Sequence, residues 1–133
     1  MKNTLTLQQR VLLAFAAFVL ALIGFMVKLP SGFRGMDKDL HAAFYFCAAA
    51  FFNLLFARKS LVRHALIFGA LYAFGVLIEH AQAYSNQFYR KRIHGRFDPE
   101  DVQANLKGLI VFSVIWLLYL LATRIFLTSS KQE

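Results

Sequence analysis

Four long apolar runs, 11–27, 40–56, 65–84 and 108–127, decide what this chain can fold into. Each is close to the about 20 residues that a helix needs to cross about 30 Å of hydrocarbon. In lipid only helices and closed barrels satisfy every backbone N–H and C=O, and barrel strands alternate apolar with polar residues. These runs do not alternate, so the spans are helical. Hydrophobic residues make up 59% of the 133 and mean hydropathy is +0.52, whereas soluble domains are about 45–50% apolar. The expected fold is all-α: an integral membrane four-helix bundle of up-down topology. It forms a single domain with approximate spans 10–29, 39–57, 62–85 and 105–127.

The first run follows Lys2 and Arg10, as the core of a signal peptide would. It is 17 residues long, beyond the about 7–15 of such a core, and no small-x-small cleavage site follows it. It is therefore expected to stay as the first helix. A net charge of +8 would suggest nucleic acid in a soluble protein. Here the basic residues fall in short segments between the runs, where anionic headgroups account for them, and no nucleic-acid partner is expected. The 15 phenylalanines suit lipid-facing surfaces. Cys47 is the single cysteine, which excludes an internal disulfide and a cysteine metal site.

Four crossings put seven basic residues on one side, Lys2, Arg10, Arg58, Lys59, Arg63, Arg124 and Lys131. The other side receives eight: Lys28, Arg34, Lys38, Arg90, Lys91, Arg92, Arg96 and Lys107. The positive-inside rule counts Lys and Arg, so this balance leaves the orientation open.

Two helix starts are legible. Asp37 stands before Lys38-Asp39-Leu40 as a cap for the second helix. Asp98-Pro99-Glu100-Asp101 supplies a cap, a proline at the first helical position and two acids that favour the helix dipole. Ala17, Ala21 and the Ala48-Ala49-Ala50 run allow close helix approach.

In an up-down hairpin series the third helix ends where the second and fourth begin. That geometry carries His41, Glu79, Gln82, Arg96, Asp101 and Asn105 toward one membrane face. Asp37 and His41 are spaced i,i+4, Glu79 and Gln82 i,i+3, and Asp101, Asn105 and Gly108 i, i+4, i+7, so each set shares a helix face. Glu79 follows 14 uncharged residues, 65–78. It lies about 7–8 Å inside the helix end, at ~1.5 Å per residue. A carboxyl at such depth costs on the order of 2–3 kcal/mol unless partnered. His41, Arg96 or a cation would partner it, and the alternative is a carboxyl that merely glues helices. Asp37 and Asp98 read first as caps, His80 as interfacial filler, and Asn53, near the other end, as a packing contact.

The ordered set of His41 before an aromatic-rich helix, Glu79-x-x-Gln82, and Arg96 followed by Asp101-x-x-x-Asn105-x-x-Gly108 resembles the VanZ-like membrane proteins. The resemblance covers most of the chain; the loop before Arg96 is more basic than the family pattern. It implies a multi-pass protein of the bacterial cytoplasmic membrane with the polar cluster on the outer face. It also implies a cell-envelope role, including low-level resistance to the glycopeptide teicoplanin.

Three functions are weighed. The first is a protein that binds an anionic lipid-linked ligand, such as a cell-wall precursor, among membrane lipids. Arg96 would hold phosphate while Gln82, Asn105, Asp101 and Glu79 orient the headgroup. The second is a phosphoesterase or transferase acting on a lipid headgroup, with His41 or Glu79 as the catalytic base. Alternatively, Asp101 and Glu79 would hold a divalent cation against a phosphate ester. The third is a non-catalytic interaction subunit whose polar residues lock the bundle. A channel is disfavoured because no polar path crosses the apolar runs.

Overall fold

The structure is a computed structural model that describes residues 4–27, 32, 35–88, 90–91 and 94–131. Lys2, Lys28, Arg34 and Arg92, weighed above for orientation, lie outside these. The described residues are helical, without strands. The helices are α1 (Leu7–Met26), α2 (Asp37–Phe52), α3 (Leu61–Ser85) and α4 (Pro99–Ser129). A π-helical turn, Asn53–Ala57, extends α2, and a 3-10 turn, Asn86–Phe88, extends α3. All four are long and apolar enough to cross a membrane.

Local chemistry sets the helix starts. Thr6 and Gln9 form a reciprocal capping box on α1, Ser60 caps α3 through Arg63 N, and Asp98 caps α4 ahead of Pro99. Asp37 departs from its expected role. Met36 holds the cap position of α2 with no side-chain bond, and Asp37 is the first helical residue. Its carboxylate is thereby left for other contacts.

The core lies between α2 and α4, where Tyr45, Ala49, Leu109, Phe112 and Trp116 are buried. Backbone proximity allows this packing. A Cβ at Gly108 would collide with the Ala42 carbonyl, so only glycine permits the observed approach of α4 to α2. Phe46 packs edge-on to Phe112 at 5.7 Å.

Helix α1 contributes no buried residue. It is held by Phe25 against Phe44 (4.7 Å), by Phe18 against Phe74 (5.7 Å) and by Arg10, which donates to the Leu55 carbonyl at 3.2 Å. Large apolar side chains cover the exterior, among them Leu12, Phe15, Leu66, Leu118 and Phe126. Such an exterior is stable in hydrocarbon and not in water.

The inter-helix contacts sort into two sets. One joins the end of α1, the start of α2, the end of α3 and the start of α4, through Gln82 to Phe25, His41 to Asn105, and Asp98 to Glu79. The other joins the end of α2, the start of α3 and the middle of α4, through Asn53, His64 and Ser113.

Candidate functional site

The first set of contacts builds a polar recess. His41 lies one turn into α2, and the i,i+4 spacing stacks it over Asp37. It is 6% exposed. Its Nδ1 is 2.8 Å from Asn105 Oδ1, on the first turns of α4. Asn105 is fully buried, and its carbonyl oxygen faces the ring at Nδ1. Nε2 faces three carboxylates: Asp37 Oδ1 at 3.8 Å, Glu79 Oε1 at 4.0 Å and Asp101 Oδ2 at 4.0 Å. These distances exceed the about 2.7–3.2 Å of a hydrogen bond.

Each carboxylate is fixed from a different element. Glu79, 3% exposed, accepts from the Asp98 backbone N–H at 3.4 Å through Oε2, which turns Oε1 toward His41. Asp101 sits in the first turn of α4, where the dipole favours an anion. Asp37 rides at the exposed start of α2, with a side chain 54% accessible. Lys38 bridges the rim, reaching Glu100 at 2.7 Å, Asp98 at 3.3 Å and Asp101 Oδ1 at 3.6 Å. The Glu100 backbone N–H donates to Asp98 at 2.8 Å and holds that carboxyl below the usual carboxylate range, with Lys38 assisting.

The floor of the recess retains polar capacity. Glu79 Oε1, Asp101 Oδ1, Asn105 Nδ2 and Tyr45 OH are buried and hydrogen-bond to no described residue. Gly75 keeps the floor open, because a Cβ there would meet Asn105 Nδ2 at 2.7 Å and Tyr45 OH at 3.1 Å. Buried polar groups are ordinarily hydrogen-bonded, so four such atoms without a hydrogen bond in one place make this recess the candidate site.

The expected residues therefore divide. His41, Glu79, Asp101 and Asn105 come together from three helices. Gln82 lies beside them but uses its amide N–H on the Phe25 carbonyl, at 2.6 Å, which fastens α3 to α1. Arg96 is exposed and makes no hydrogen bond or ion pair among the described residues. His80 stacks on Phe97 with ring centroids 4.4 Å apart.

Asp37 joins the group although sequence reasoning read it as a cap. Its i,i+4 relation to His41 is the signal that places it there.

A second polar network was not foreseen. His64, buried near the start of α3, places Nδ1 2.7 Å from Asn53 Oδ1 and Nε2 2.9 Å from Ser113 Oγ. It stacks on Trp116 at 4.2 Å. Asn53 in turn donates to the Ala49 carbonyl at 2.7 Å, beside the π-helical turn. Each His64 and Asn53 side-chain nitrogen, and the Asn53 oxygen, has a partner here, so the network locks helices together. The closeness of Asn53 and His64 to either end of the short 57–60 turn was its only sequence trace.

Comparison with protein-family models, curated proteins and solved structures gives no match, so the chemistry of this recess is read from its own residues.

Proposed function

We propose that this chain is a multi-pass protein of the bacterial cytoplasmic membrane, of the VanZ-like type. In this reading its helices form an up-down bundle and its recess opens to the outer face. The recess takes up the headgroup of an anionic lipid-linked ligand of the cell-wall-precursor class, and a contribution to glycopeptide resistance belongs to the same proposal. One observation carries it: three helices converge on a buried set of ionisable groups with carboxylate oxygens that accept no hydrogen bond from a described residue. In a membrane segment such groups are retained for a partner outside the chain.

The charge distribution supports a division of labour. Phosphate is repelled by the carboxylates of the floor and attracted by exposed Arg90, Lys91 and Arg96 and by Lys38 at the rim. Hydroxyl and amide donors of a sugar headgroup suit Glu79 and Asp101 below. Asn105 positions His41 and keeps its Nδ2 open on the floor of the recess.

Native mass spectrometry of the detergent-solubilised chain with a polyprenyl diphosphate sugar tests this, with phosphatidylglycerol as the plain anionic lipid. Glu79→Gln and Arg96→Ala each weaken retention of the diphosphate sugar about tenfold, equivalent to about 1.4 kcal/mol. Wild-type affinity in both variants would overturn the reading.

A second reading has one observation in its favour. The Nε2 of His41, with the ring oriented by Asn105, has the placement of a general base. An enzyme of this kind would cleave or transfer a lipid phosphate ester. Phosphate release by wild type and none by His41→Gln would place it first.

A further inference from the structure

We infer that the recess is a divalent-cation site in which His41 Nε2, Asp37 and Asp101 are the ligands and buried Glu79 is aimed into the site. The proposal shares the recess with the headgroup reading but stands on its own geometry, and it adds Asp37 and the imidazole to the set expected from sequence.

Charge favours a cation here. The chain is basic overall, at +8, yet five of its seven acidic residues lie in this recess or at its rim: Asp37, Glu79, Asp98, Glu100 and Asp101. Lys38 neutralises its outer edge, where it reaches Glu100, Asp98 and Asp101 Oδ1. No described cation lies within 4.0 Å of Glu79 or Asp37 except the His41 ring. Carboxylates packed this closely and this deeply repel one another unless a cation sits among them.

The aim of Glu79 favours a cation as well. Glu79 is more than nine-tenths buried, its Oε1 has no hydrogen-bond partner among the described residues, and that atom points at His41 Nε2. Neighbouring ligands of a tetrahedral ion, at bonds of about 2.0–2.2 Å, stand about 3.4 Å apart. The 3.8, 4.0 and 4.0 Å separations from Nε2 lie close to that spacing. They are too long for direct hydrogen bonds. The donor atoms of Asp37, His41 and Asp101 all lie within 4.8 Å of one another. Closing this triangle onto an ion asks for a shift of ~0.5 Å, within side-chain reach at the exposed Asp37.

The outer support fits a metal-bound histidine. A ligating histidine nearly always donates its other ring N–H to a fixed acceptor, which sets the tautomer. Fully buried Asn105 supplies that acceptor at 2.8 Å. The Asp98 backbone N–H donates to Glu79 Oε2 and steadies that carboxylate. One imidazole with carboxylates suits a first-row ion such as Zn²⁺ or Mn²⁺ better than Ca²⁺ or Mg²⁺, which favour all-oxygen shells. Exposed Asp37 marks the entry, at the headgroup end of the recess.

Calorimetric titration of the full, untagged chain tests the site. The protein is stripped with chelator, held in detergent without lipid and titrated with ZnCl₂, MnCl₂, MgCl₂ or CaCl₂. Wild type takes up one Zn²⁺ or Mn²⁺ per chain, at least about tenfold more tightly than Mg²⁺ or Ca²⁺. Asp37→Asn, at an exposed position that leaves helix content by circular dichroism unchanged, weakens uptake about tenfold. His41→Gln abolishes it, and Asp39→Asn, on the same helix but outside the ligand set, does nothing.

No saturable uptake by wild type would overturn the proposal, as would equal uptake by Asp37→Asn and wild type. Mg²⁺ or Ca²⁺ binding as tightly as Zn²⁺ would overturn the ion class. Because no lipid is present, failure here is distinct from failure of the diphosphate-sugar assay.

Discussion

Asn105 shows how one side chain can act through its neighbour. It is fully buried, pairs its Oδ1 with His41 Nδ1 and leaves its own Nδ2 beside Gly75. Asn105→Leu removes the acceptor, frees the ring and lowers Zn²⁺ affinity about 10–100-fold, the usual effect of losing such a support. Calorimetry reads this directly. Asp98 acts differently, as a cap on α4 whose carboxyl lies below its ordinary range. A carboxyl so shifted stabilises the fold above the usual carboxylate range, and the contribution disappears as pH falls through the lowered value. Asp98→Ala is expected to lose about 1 kcal/mol near neutral pH. The Tm gap between this variant and wild type should close on acidification toward the lowered value; a gap that widens with acid contradicts the assignment. Sequence spacing was enough to bring Asp37 over His41, since i,i+4 fixes the face. It was not enough to see that Asp37 enters the helix instead of capping it, or that Arg96 turns outward. Loop backbone decides both, and loops follow no period.

At the level of elements, the α2–α4 crossing holds the recess in shape. Gly108 faces the Ala42 carbonyl, a backbone atom that cannot swing aside. Gly108→Ala should therefore destabilise the bundle by about 1–3 kcal/mol, as overpacking does. The check is a lower Tm in detergent. The network of Asn53, His64 and Ser113 should behave as a lock and nothing more. Asn53→Ala leaves His64 Nδ1 buried without a partner and should remove about 1–3 kcal/mol of stability. Ion uptake by the folded fraction should stay at its wild-type level. The four helices were legible because apolar runs of spanning length admit little else. This lock was not, because His64 follows Arg63 at a helix start and there resembles an interfacial residue. Only the positions of Asn53 and Ser113 in space reveal its burial.

Across the whole molecule, five of the seven acids gather in the recess or at its rim, with Lys38 among them, and exposed Arg90, Lys91 and Arg96 lie in the connection that leads into α4. If the four helices cross in up-down order with the recess outward, 39 and 100 lie on the outer side, and 59 and 131 inside. Single cysteines placed by Asp39→Cys, Glu100→Cys, Lys59→Cys and Lys131→Cys, each in a Cys47→Ala background, report this in intact cells. A membrane-impermeant maleimide should label 39 and 100 at once, and 59 and 131 only after the membrane is opened. Labelling of 39 and 100 from opposite sides would separate the ends of α2 and α4 that build the recess, and would contradict the account.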